Sequence, residues 1–198
     1  MVHAAGLAAG RRGGTDLTFS APKSVSIQAL AGGDVRLLTA HETAVARALD
    51  HAETLAACRV TAEGVTTRQT TGVLAVAQFR HDLSRAADPQ LHTHSVVLNV
   101  TQRADGQWRA LDNEPLYRNK MLLGALYRSE LAKEVQALGY EVRITHGDGR
   151  FELAHVSIQW TVCAWRRARP LAGRGLQGWT RSHLPEGGRV RSGNTEAT

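Results

Sequence analysis

The sequence has few cysteines and no long apolar run, and these absences narrow the classes of protein to which it can belong. Its 198 residues include only two cysteines, Cys58 and Cys163, whose separation matches no metal-binding or redox motif. A disulfide framework is therefore excluded, and we expect a reducing, cytoplasmic environment. No apolar run approaches the length of a membrane span. The first ten residues lack the basic segment that opens a signal peptide, so we expect no membrane segment.

Positive charge is in excess but is unevenly distributed. The formal net charge is +6, a balance that suggests a polyanionic partner such as nucleic acid. From Gln159 to the end there are seven Arg, no Lys and two Glu, whereas the other 158 residues carry 17 basic and 16 acidic groups. The charge therefore predicts a basic tail rather than a basic body, and it is weak support for DNA binding.

What the sequence does contain is a group of three histidines, His81, His92 and His94. Neutral imidazole is the commonest side-chain ligand of transition metals. The stretches 72–81 and 91–101 are apolar and β-branched, which predicts two strands around a polar loop with turn signals. If the strands form a hairpin that pairs His81 with His92, the three Cβ atoms lie on one face, roughly 5–8 Å apart. A shift of one residue in register would move His81 to the other face.

This histidine pattern has two interpretations. Three imidazoles without a cysteine or an obvious fourth ligand would leave coordination positions open, which is the arrangement of a catalytic metal site. The pattern H-x-H is also common on exposed strands that bind nothing. Spacing alone therefore leaves a metal site and an ordinary polar strand equally open.

Helical patterns predict three helices. The first is capped by Ser24 or Ser26, and the second runs from Asp34 to about Ala57. The third is capped by Asn113, carries apolar residues at helical spacing, and is closed at its C-terminal end by a glycine, Gly139.

Strand patterns occupy the rest of the ordered region. Alternation predicts a short strand that contains Leu17 and Phe19. The pattern of residues 59–71 predicts β structure around a central Glu-Gly pair. Asp105-Gly106 predicts a hairpin that pairs 96–101 with 107–111, and a final hairpin surrounds residues 147–149. Most connections are too short for parallel crossovers, which favours an α+β fold with a mainly antiparallel sheet and helices packed on it.

The end of the chain has a different character. From Ser157 onwards periodicity is lost, Gly, Arg and Pro dominate, and three of the four tryptophans occur. Such composition is typical of a GC-rich coding sequence translated in the wrong frame, which favours a frameshift near 157–159. The alternative is a natural, basic, disordered tail that binds nucleic acid.

Two long motifs closely resemble those of the TrwC/MobF-type conjugative relaxases, which are HUH endonucleases. They are D-L-T-F-S-A-P-K-S-V-S, from Asp16 to Ser26, and F-R-H-D-L-S-R-A-A-D-P-Q-L-H-T-H, from Phe79 to His94. The similarity continues through D-G-Q-W-R-A-L and L-G-A-L-Y-R-S-E-L-A to about Ser157. The resemblance implies a central antiparallel sheet flanked by helices, and an enzyme that nicks single-stranded plasmid DNA at a transfer origin. In such enzymes a tyrosine attacks the scissile phosphate and stays linked to the 5′ end.

The resemblance also implies roles for individual residues. A divalent cation such as Mg, Mn or Zn would be held by His81, His92 and His94. Asp16 would help to activate the nucleophile and would support the histidine site. Basic residues that flank the motifs are candidates for DNA phosphate contacts, namely Lys23, Arg80 and Arg85. The implied partner is single-stranded DNA at a transfer origin, bound by a monomer. No role is assigned to the remaining internal histidines, His41, His51, His146 and His155.

The tyrosines depart from the family pattern. In these relaxases the nucleophilic tyrosines precede the first motif, but the fifteen residues before Asp16 contain none. The tyrosines of this chain are Tyr117, Tyr127 and Tyr140, of which the first two are expected to pack on the third helix. We therefore predict a partial relaxase domain over 15–157 that lacks the N-terminal strand. Residues 1–14 are then a disordered or chance N-terminus and 158–198 a disordered basic tail, so no nicking by the usual route is expected.

Three other functions remain open. The first is a metal-retaining single-stranded DNA binder without catalysis, and the second is a cupin-like metal enzyme. The third is an unstable product with no function. A cupin-like site would need a carboxylate shortly after His94, and the stretch 95–103 contains no acidic residue.

Overall fold

The centre of the protein is a four-stranded antiparallel sheet. The structure, a computed structural model, describes residues 2–3, 13–156 and 165. The strand order is β1-β2-β6-β5, with the bounds β1 Val2–His3, β2 Gly14–Ser20, β5 Val76–Leu83 and β6 Pro89–Leu98. The predicted α+β fold with a mainly antiparallel sheet is confirmed. The two-residue β1 pairs with Asp16 and Leu17 of β2, which corrects the expectation that the stretch before residue 14 contributes no strand.

The helices pack on one side of this sheet. They are α1 Lys23–Leu30, α2 Arg36–Thr54, α3 Glu114–Arg118 and α4 Lys120–Ala137. The third predicted helix is thus broken in two at Asn119. The Asn119 side-chain amide donates to the carbonyl of Pro115 at 2.9 Å, a local hydrogen bond of the kind that competes with the helical ladder. Helix α2 begins after Asp34, whose carboxylate accepts the backbone N–H of Arg36 at 3.1 Å.

Alternation along β2 and β6 separates the core from the opposite face of the sheet. Leu17 and Phe19 of β2, with Leu91 and Val97 of β6, are buried in the core beside apolar residues of the helices. The intervening residues of both strands lie half-buried on the other face. Successive strand residues face opposite sides of a sheet, so one set of side chains forms the core and the other is left for a site.

Three two-stranded hairpins complete the described part of the chain. They are β3 Ala57–Ala62 with β4 Val65–Thr70, β7 Thr101–Gln102 with β8 Trp108–Arg109, and β9 Val142–Ile144 with β10 Phe151–Leu153. The first and third confirm the predicted hairpins, and Glu63 and Gly64 take the positive φ angles, 51° and 78°, of a tight turn. The second confirms the predicted turn at Asp105-Gly106 and the pairing of Thr101 with Arg109. The rest of the predicted pairing of 96–101 with 107–111 is wrong over 96–98, because β6 already pairs with β2 and β5 on its two sides.

The predictions for the last part of the chain lie outside the described residues. These are the disordered basic tail and the frameshift near 157–159. One side chain of that stretch is described, since the Trp165 indole N–H donates to the carbonyl of Ala87 at 3.2 Å. Among the helices that the structure describes, none is long and apolar enough to cross a membrane.

Candidate metal centre

The three histidines come together on the face of the sheet that the helices leave open. His81 of β5 lies directly opposite His92 of β6, and Phe79 lies opposite His94. The predicted register is confirmed, and it shifts only after His81, before Leu83. The ring centres are 5.3 Å apart for His81 and His92, 5.3 Å for His81 and His94, and 5.2 Å for His92 and His94.

The size of this triangle fits three ligands of one ion. An imidazole that binds Zn²⁺ at about 2 Å has its ring centre roughly 3 Å from the metal, so tetrahedral ligands have ring centres roughly 5 Å apart. Within the described part of the chain, no group of three His, Cys, Asp or Glu side chains already stands in a metal-binding arrangement. The three rings therefore need to turn about their side-chain bonds before their nitrogens meet at one point, but their backbones need not move apart or together.

Hydrogen bonds already orient two of the rings. His94 Nδ1 is 2.6 Å from Oδ2 of Asp16, and His92 Nδ1 is 2.9 Å from the carbonyl oxygen of Gln90. A carbonyl oxygen and an ionised carboxylate only accept, so each Nδ1 carries a proton, and the lone pair of the neutral ring is then on Nε2. This is the usual arrangement for a metal-binding imidazole. Burial, with His92 and His94 nearby, lowers the pKa of His81, which favours its neutral, metal-binding form.

Asp16 has the position that the family resemblance implies. Its Oδ2 accepts from His94 and, at 3.3 Å, from the hydroxyl of Thr18. Its Oδ1 is buried without a hydrogen-bond partner among the described residues, and such an atom is costly unless a donor reaches it. Thr18 was not predicted as a site residue, and its hydroxyl is also 3.2 Å from His94 Nδ1. The alternation of D-L-T carried the signal, since it puts Thr18 on the same face as Asp16.

The three basic candidates are dispersed. The Lys23 ammonium donates to the carbonyl of Pro89 at 2.7 Å, at the start of β6. Arg80 shares the helical side of the sheet with Thr93, its partner in register, and forms an ion pair with Glu42 at 2.7 Å. Arg85 is exposed in the loop between β5 and β6. The structure therefore does not gather these residues around the histidines.

A buried polar network lies beneath the histidine face. His41 of α2 is fully buried, with Nδ1 2.7 Å from the Tyr127 hydroxyl and Nε2 2.8 Å from the Thr93 hydroxyl. Burial, helped by the positive charge of Arg80, lowers the pKa of His41 to about 4. Burial also raises the pKa of Tyr127 well above 10. No role was predicted for His41, although its spacing of four from Leu37 indicates the buried side of α2.

The comparisons with known proteins identify the family. A model of the TrwC relaxase family matches residues 3–171. The multifunctional conjugation protein TraI of Escherichia coli K12 is 45% identical over 157 residues, which cover 75% of this chain and 9% of TraI.

Solved structures of relaxases support the same family assignment. A metal-free complex of the conjugative relaxase TrwC with OriT DNA is 49% identical, with a TM-score of 0.72 over 86% of this chain and 61% of that one. A copper-bound TrwC complex with OriT DNA is also 49% identical, with a TM-score of 0.73 over 87% and 60% of the two chains. The chain thus spans about a tenth of TraI and three fifths of these TrwC chains. It belongs to the TrwC relaxase family.

Proposed function

We propose that this chain is a conjugative relaxase domain that binds single-stranded DNA of a transfer origin on the histidine face of its sheet. A divalent cation held by His81, His92 and His94 would meet the DNA phosphate there. The observation that carries the proposal is the triangle of ring centres, 5.2–5.3 Å on each side. The TrwC structures support it, since they hold OriT DNA and one of them is copper-bound.

The residues around the triangle have separate tasks in this proposal. When bound, the ion would supply charge that stabilises a phosphate oxygen in the transition state. Asp16 fixes the ring of His94 through Oδ2, and its Oδ1, which has no hydrogen-bond partner among the described residues, is free to accept a hydrogen bond from a bound partner. The all-imidazole donor set favours Zn over Mg or Mn, which prefer oxygen ligands.

The exposed side chain beside the histidines suits a nucleic-acid partner. Phe79 lies opposite His94 in the register and is 51% exposed. An aromatic ring of this kind offers a flat surface on which a base of any type can stack. We infer that Phe79 receives a base next to the phosphate at the cation.

The tyrosines of this chain are engaged elsewhere. Tyr127 is buried against His41, Tyr140 donates to Asp34 at 2.7 Å, and the exposed Tyr117 lies on α3 under the ammonium of Lys120. We therefore propose that these 198 residues bind the DNA but form no covalent tyrosyl link to it. The proposal includes a monomer in the cytoplasm, where its DNA partner and the free thiol of Cys58 would both be found.

A cupin-like enzyme is not supported. Cupins are double-sheet jelly rolls. The described histidine strands belong instead to one open, four-stranded sheet with helices on a single face.

Fluorescence anisotropy with labelled single-stranded OriT DNA tests the proposal. We expect tight binding with Zn²⁺, weaker binding with Mn²⁺, weak binding in EDTA, and no covalent adduct on a denaturing gel. His92→Ala should bind as weakly as the parent in EDTA, whereas His146→Ala, an exposed histidine outside the cluster, should match the parent with metal. A DNA affinity that changes neither with EDTA nor with His92→Ala would refute the cation site. A stable covalent adduct would refute the claim about the tyrosines.

A further inference from the structure

We propose that His41, Tyr127 and Thr93 form a positioning network that holds β6 in place for metal binding. This role rests on the proposed cation site. Thr93 is the middle residue of H-T-H, between two of the three imidazoles. The network joins α4, α2 and β6 through two hydrogen bonds of 2.7 and 2.8 Å.

The geometry of a strand explains how a buried hydroxyl acts on an exposed site. The side chain of Thr93 points to the helices, while the side chains of His92 and His94 point to the opposite face. The backbone of Thr93 therefore lies between the two histidine backbones, and its position along and across the sheet sets theirs. A tether on the Thr93 hydroxyl limits movement of both ligands at once.

The two hydrogen bonds of His41 restrict how the three side chains of the network can be arranged. A neutral imidazole has one N–H and one lone pair, so His41 can donate to one hydroxyl only while accepting from the other. The three side chains are at most 4% exposed, which leaves no solvent to replace a lost partner. The Tyr127 ring is held as well, edge-on to His41 at 5.5 Å and tilted against Phe19 at 5.3 Å. Such fully engaged polar groups specify one arrangement of the elements that they join.

Loss of a merely structural network would lower only the stability of the fold. Loss of a positioning network would also change the affinity and the coordination geometry of the bound metal. Thr93→Val removes the hydroxyl and keeps the shape of the side chain, and Thr93→Ser keeps the hydroxyl. Tyr127→Phe removes the other end of the network. Tyr140→Phe is the matched control, because it deletes a tyrosine hydroxyl that hydrogen-bonds to Asp34 instead.

Copper(II) titration of the full chain, followed by calorimetry and electron paramagnetic resonance, measures the effect. We expect Thr93→Val and Tyr127→Phe to weaken Cu²⁺ binding about tenfold, the low end of what outer-shell changes cost. Their hyperfine splitting should also differ from that of the parent. Thr93→Ser and Tyr140→Phe should keep the parental affinity and spectrum. Folded Thr93→Val and Tyr127→Phe proteins with parental affinity and spectrum would overturn the proposal.

The metal-free protein separates this proposal from the cation site itself. If the parent binds no Cu²⁺, the proposed cation site has failed, and the network is tested by the NMR signals of the His92 and His94 rings. Positioning predicts that these signals shift in Thr93→Val and Tyr127→Phe but not in Tyr140→Phe. Ring signals unchanged in both network variants would overturn the proposal whether or not a metal binds.

Discussion

Acid should destabilise this protein through one buried side chain, His41. The folded chain holds its imidazole neutral between two hydroxyls, and its pKa is lowered from 6.5 to about 4. Protonation would place a charge in the core beneath β6, far from water. We therefore expect folding to weaken as the pH falls, and His41→Leu to abolish that part of the pH dependence.

The sign and size of the effect follow from proton linkage. The folded-state pKa lies below the unfolded-state value, so the unfolded chain binds the proton first and gains free energy from it. The contribution of His41 to the free energy of unfolding is therefore full above about pH 6.5 and decreases until about pH 4. Between these two pH values, His41 is protonated in the unfolded chain but not in the folded one. A change in pKa from 6.5 to about 4 corresponds to about 3 kcal/mol.

Urea unfolding followed by circular dichroism, in EDTA and between pH 4 and pH 8, measures this. At pH 7.5 His41→Leu should be less stable by about 2–4 kcal/mol, because it leaves the hydroxyls of Tyr127 and Thr93 unpaired. The gap between parent and variant should narrow by about 3 kcal/mol as the pH falls to 4. His51→Leu, on the same helix but partly exposed, controls for loss of a histidine. Parallel curves for the parent and His41→Leu would refute the reasoning.

Three further outcomes are expected. Asp16→Asn should weaken Zn²⁺ binding in calorimetry about 10–100-fold, since it removes the charged acceptor of His94 Nδ1, and an unchanged affinity would contradict that role. In anisotropy with single-stranded DNA, Phe79→Ala should cost about 1–3 kcal/mol of binding, while its neighbour Arg80→Ala, on the helical side, should cost little; the reverse order would show that the DNA does not lie on the histidine face. Asp34→Asn should lower stability by about 1–2 kcal/mol at pH 7, because hydrogen bonds from Arg36 and Tyr140 hold the pKa of Asp34 below its usual 3.8. That loss should shrink as the pH falls from about 4 towards the lowered pKa of the folded chain, because the unfolded chain takes up the proton first, and a loss that stays constant over that range would contradict it.

Local patterns predicted much of the sheet. Alternation along β6 and a loop of suitable length between β5 and β6 suggested the pairing of His81 with His92, and the structure confirms this register, which the sequence alone left as an assumption. The break at Asn119 was not predicted, since apolar residues continue at helical spacing on both sides of it; its backbone angles, φ −95° and ψ 9°, leave the helical region, and its side-chain amide donates to Pro115. The hairpin at Asp105-Gly106 was extended too far back, to residue 96, because sequence cannot show that both sides of β6 are already paired.

The sequence by itself determined which chemistry is available: three imidazoles, one carboxylate before them, and motifs that resemble those of relaxases. Their spacing relative to the two-residue period of a strand also determined that they share a face. Only the tertiary structure decided what each group touches. It paired Asp16 with His94, turned Arg80 towards α2, and placed His41 and Tyr127 beneath the histidine strand. These contacts join residues far apart in the chain, and they depend on how the helices pack on the sheet, a choice that no local pattern contains.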